Sequence, residues 1–65
     1  MSTIFLIQYQ GEQGDFSDAT PDPRVLEDRF IAAAAFKAAA GHRRLLQITN
    51  NSAANTLTTV ELQRV

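Results

Sequence analysis

The run Thr3-Ile4-Phe5-Leu6-Ile7-Gln8-Tyr9-Gln10, closed by Gly11, decides the fold. It is β-branched and aromatic, which predicts a strand. Phe5, Ile7 and Tyr9 fall on one face of that strand and Ile4 and Leu6 on the other, so it is apolar on both sides. Leu45-Leu46-Gln47-Ile48-Thr49 predicts a second strand of the same kind, with Leu46 and Ile48 set against Leu45. Residues 56–65 predict a third, in which Val60 and Leu62 alternate with Thr59, Glu61 and Gln63.

Between these strands lies the one helix. In Thr20-Pro21-Asp22-Pro23, Asp22 is held extended by the following proline and predicts an N-cap, with Pro23 at the first helical position. The helix then continues through Val25 and the alanine-rich stretch to Ala40, and Gly41 ends it in the left-handed conformation. At 100° per residue, Val25, Leu26, Phe30, Ala33, Phe36 and Ala40 share an arc of about 140°, the face expected on the sheet. Gly11-Glu12-Gln13-Gly14 is turn chemistry, and residues 15–20 read as a short returning strand or as a loop pinned by Phe16. Asn50 to Asn55 form a polar turn. The expected fold is one α+β domain over residues 1–65, with a helix on a three- or four-stranded, mainly antiparallel sheet in the order β-(β)-α-β-β.

Composition narrows the class. Of 65 residues, 45% are hydrophobic and none is Cys, so the chain is foldable but has no disulfide or thiolate zinc site. The segment behind Met1 lacks the basic region of a signal peptide, and no stretch approaches the roughly 20 apolar residues of a membrane span. A cytoplasmic protein without a membrane partner is expected. Residues 1–28 carry Glu12, Asp15, Asp18, Asp22, Glu27 and Asp28 against Arg24. Residues 29–65 carry Arg29, Lys37, Arg43, Arg44 and Arg64 against Glu61. This charge dipole is unlike the basic excess of a phosphate-backbone binder.

Candidate chemistry is sparse. His42 is the single imidazole and no nucleophile is patterned with it, so no catalytic residue and no enzyme activity are expected. The carboxylates around Asp15 lack the alternating pattern of a calcium loop, and the glycine pair lacks the Lys of a phosphate-binding loop; neither metal nor cofactor is expected. One helix covers only one sheet face, so the apolar residues of the other face, taken as Ile4, Leu6 and Leu45, are expected to meet a protein partner or a second copy. Glu12, Asp15 and Asp18, which helix capping does not explain, are expected to face a basic site on that partner. Two alternatives stay open. Lys37, His42, Arg43 and Arg44 can contact phosphate or nucleic acid. The second sheet face can instead be closed by residues 11–20, with Phe16 tucked in.

The succession Tyr9-Gln10-Gly11-Glu12 into Phe16, Asp22-Pro23 into Phe30, and Leu46-Gln47-Ile48 resembles the layout of small phage-encoded host-inhibitor proteins. These include RNA-polymerase inhibitors and anti-CRISPR proteins. The resemblance is one of topology, and it implies an inhibitor that works by occluding a partner surface.

Overall fold

The computed structural model describes residues 1–11, 14, 16 and 24–65. The described residues form β1 (Ser2–Tyr9), β2 (Arg24–Leu26), α1 (Arg29–Ala38), β3 (Arg43–Asn51) and β4 (Thr56–Arg64). The strands make one antiparallel sheet in the order β2-β1-β3-β4, with α1 against one face. This is the expected α+β architecture with four strands.

The two doubly apolar strands are the central ones. β1 and β3 pair along their whole length, from Ser2 opposite Asn50 to Tyr9 opposite Arg43. Strand alternation then assigns every side chain to a face. Phe5, Ile7 and Leu45 join Ala32 and Phe36 of α1 in the core, with Tyr9, Leu26, Ala35 and Leu62 packed around them. Alanines at the helix contact let the backbone approach the sheet closely, and Phe36 fills the space between. Leu45, expected on the uncovered face, therefore belongs to the core. The register that pairs Leu6 with Leu46 sends Leu46 to the uncovered side in its place.

The helix begins later than the sequence predicts. Its N-cap is Asp28, extended at φ −107° and ψ 128°, whose carboxylate accepts the N–H groups of Phe30 at 2.8 Å and Ile31 at 3.1 Å. Asp22 and Pro23 lie outside the described residues. Arg24, Val25 and Leu26, expected in the first helical turns, instead form the second strand, opposite Ile7, Leu6 and Phe5. Pairing with the edge of β1 satisfies their backbone groups and suits the β-branched Val25, and tertiary context overrides the weaker helical preference. The alternative location for this strand, residues 15–20, lies outside the described residues except for Phe16. The later start also changes the buried face. Phe30 is the second helical residue, about 120° around the axis from Phe36, and is 87% exposed.

The helix stops at Ala38, where Ala39 is extended at φ −74° and ψ 159°, earlier than the expected end at Ala40; Gly41, at φ +85° with nothing within 4 Å of where a Cβ would stand, turns the chain from there into β3. Ser52–Asn55 turn β3 into β4, with Asn55 at φ 54° and the Asn51 carboxamide oxygen accepting the Ala54 N–H at 3.3 Å. Near its end β4 is bulged: Leu45 faces Gln63 while Leu46 faces Glu61, which makes Leu62 the extra residue. Leu62 leans into the core, and Glu61 lies on the other face.

The Asp28 cap gives a direct test. Asp28→Ala should lower the unfolding free energy by about 1 kcal/mol in urea titration, leaving two helical N–H groups without a side-chain acceptor. A change under about 0.2 kcal/mol would place the helix start elsewhere.

Candidate functional site

The sheet face opposite α1 is built in rows by the strand register. Val25, Leu6, Leu46 and Glu61 form one row; Ile4, Ile48 and Thr59 form the next; Ser2, Asn50 and Leu57 lie beyond it. The middle of this face is apolar. Val25 on one edge strand is 55% exposed and Leu57 on the other is 70% exposed, while Ile4, Leu6 and Ile48 are half-buried and Leu46 is buried.

One end of the face is closed by charge and an aromatic ring. Gln8, Arg44 and Arg64 form its last row, with the two arginines directly opposite each other. Like charges so placed repel. Three contacts offset this. Arg44 Nε donates to Gln8 Oε1 at 2.7 Å, and Arg64 Nε donates to Glu61 Oε1 at 2.8 Å. The Phe16 ring lies 4.6 Å from the Arg44 guanidinium carbon and 5.1 Å from that of Arg64, giving both cations the negative face of an aromatic ring. Phe16 thus rests on the face that α1 leaves bare, where the closing-loop alternative puts it. Among the described residues it is the one aromatic side chain stacked on arginine there.

The basic residues do not form one surface. Arg43 and Arg44 are consecutive in a strand and point to opposite faces. Arg43 is 7% exposed on the helix side, where its Nε donates to the Phe36 carbonyl at 2.8 Å and its Nη1 to the Gly41 carbonyl at 2.7 Å. Its guanidinium also stacks 4.7 Å from the Phe36 ring centroid. Lys37 is exposed in the last helical turn and His42 is exposed in the connection that follows. Glu12, Asp15 and Asp18 lie outside the described residues. Of the expected partner-face residues, Ile4 and Leu6 lie together on the bare face and Leu45 does not.

The sequence reading overlooked Val25, Leu46, Ile48 and Leu57 as members of this face. The parity of Leu46 and Ile48 was visible, but only the long-range register with β1 says which parity faces away from the helix. No protein-family model matches the chain, and neither a curated protein nor a solved structure matches it.

The opposite orientation of the two arginines has a measurable consequence. Arg43→Ala should destabilise the fold by about 3 kcal/mol, because it strips the buried Phe36 carbonyl and the part-buried Gly41 carbonyl of a charge-assisted donor and removes the guanidinium from Phe36. Arg44→Ala should cost under about 1 kcal/mol, as expected of a partly solvated contact. Equal costs by chemical denaturation would contradict the assignment of faces.

Proposed function

We propose that the chain is a non-catalytic protein-interaction module that acts in the cytoplasm by occluding the surface of a partner protein, the mode of the phage-encoded inhibitors its layout resembles. The observation that carries this reading is the sheet face built from Ile4, Leu6, Val25, Leu46, Ile48 and Leu57. Its middle is apolar, with Val25 and Leu57 exposed at its two edge strands, and the single helix is spent on the opposite side. A contiguous apolar face with a polar or charged border is the ordinary anatomy of a docking surface. Arg44, Arg64 and Glu61 supply that border at one end. No helix among the described residues is long and apolar enough to cross a membrane.

Nucleic-acid binding is less well supported. Arg43 is buried and donates to backbone carbonyls, so a phosphate would have to break both hydrogen bonds to reach it.

Immobilised chain exposed to lysate of its source cells should retain a protein through Val25 and Leu6. Val25→Glu should lower that retention at least about tenfold, and salt between about 50 and 200 mM should change it little. Retention of nucleic acid that falls steeply over the same salt range would overturn the reading. His42→Gln should leave the retention, and any cellular activity, within a few-fold; a loss of about 100-fold would assign His42 a chemical role.

A further inference from the structure

The sheet ends on a long strand that is guarded along only half its length. β4 has nine residues and pairs with β3 alone; among the described residues nothing pairs with its outer edge. An edge strand offers a ladder of free N–H and C=O groups, and chains that must stay single blunt it with charges, prolines or bulges. Here the bulge at Leu62 and the charges of Glu61 and Arg64 all sit in the second half. Residues 56–60, Thr56-Leu57-Thr58-Thr59-Val60, have no charge, no proline and no bulge, and their side chains favour strands. Two exposed apolar side chains flank this half on opposite faces. Leu57 is 70% exposed on the bare face, and Val60 is 47% exposed on the helix face.

We infer that residues 56–60 pair antiparallel with the same residues of a second copy about a two-fold axis through Thr58. The segment is complementary to itself in this register. Thr58 meets Thr58 of the other copy, Leu57 meets Thr59, and Thr56 meets Val60, so every uncharged position finds an uncharged one. Cross-strand threonine pairs stabilise a ladder, and the two Leu57 side chains become diagonal neighbours on one face. Glu61 falls opposite Asn55 rather than opposite its own counterpart, so no like charges are apposed. The axis is normal to the sheet, which leaves both helices on one side and joins the two bare faces into one eight-stranded surface. A second copy is favoured over a foreign strand because this register is set by the two-fold alone and covers Leu57 and Val60 in both chains at once.

The inference is independent of what docks on the bare face, and a single-cysteine experiment tests it in a chain that has no other Cys. Thr58→Cys brings two thiols together on the axis, within the Cα separation a disulfide needs. Thr56→Cys places them four residues apart along the ladder, roughly 13 Å, beyond that reach. Under mild oxidation Thr58→Cys should form covalent dimer at least about tenfold faster than Thr56→Cys. The wild-type chain should sediment as a dimer at about 100 µM, and Thr58→Lys, which apposes two cations, should raise the dissociation constant at least about tenfold while the far-ultraviolet spectrum is unchanged. Val25→Glu, on the far edge strand, should leave the dimer mass unaltered, which separates this result from the docking of a partner. Equal crosslinking rates, a wild-type monomer, or a Thr58→Lys dimer as tight as wild type would each overturn the inference and leave the edge to a strand of another protein.

Discussion

The fold turns on the placement of one guanidinium. Arg43 opens β3, yet its side chain reaches back over Gly41 to accept the role of helix cap, donating to the Phe36 and Gly41 carbonyls and lying against the Phe36 ring. The last carbonyls of any helix lack intrahelical partners, and burying them unsatisfied is costly. Here the strand that follows the helix supplies the donor, so chain reversal, helix termination and packing of Phe36 share one group. The same residue's backbone exchanges both hydrogen bonds with Val65, at 2.9 and 2.8 Å, which fastens the end of β4 to the point where the helix is tied down. Arginine suits this position because its planar fork serves two acceptors and an aromatic face at once; lysine offers only a point charge.

With one side of the sheet committed to the helix, the rest of the chain has to manage the other side. Most of that side is handled by side-chain choice within the sheet. Leu46 is buried without belonging to the helix-side core. Arg44 and Arg64 are held in fixed positions by Gln8, Glu61 and the Phe16 ring. Polar anchoring at one end and exposed Val25 and Leu57 at the flanks make the face asymmetric, with its cations at a single boundary.

Much of this arrangement was written in local pattern. The density of β-branched and aromatic residues marked β1, β3 and β4, and Gly41 marked the chain reversal after the helix, because each depends on near neighbours alone. What escaped was set at long range. β2 is three residues long and takes its structure from β1, so its own composition reads as helix. Asp22 and Asp28 are both competent N-caps in isolation, and pairing of Val25 with Leu6 decides for Asp28. Leu45 could be assigned a face only once its partner Ile7 was known. Arg43 and Arg44 look like a single basic cluster on paper, although period-two alternation in a strand already requires them to part company.

The pairing of β1 with β3 also orders events in time. β1 leaves the ribosome first, but the strand it completes lies beyond the helix, with Phe5 finding Gln47 and Ile7 finding Leu45. The β3–β4 hairpin closes over only Ser52–Asn55 and can form within microseconds of its synthesis, whereas β1 must wait for a loop of more than thirty residues to close. Until β3 is made, Ile4, Phe5, Leu6 and Ile7, apolar on both faces, have only the three residues of β2 to pair with. Such a segment is the natural substrate of holding chaperones and the natural seed of intermolecular aggregation. A strand paired on both edges in the finished sheet is therefore one whose apolar faces stand open in the unfinished one until β3 is made.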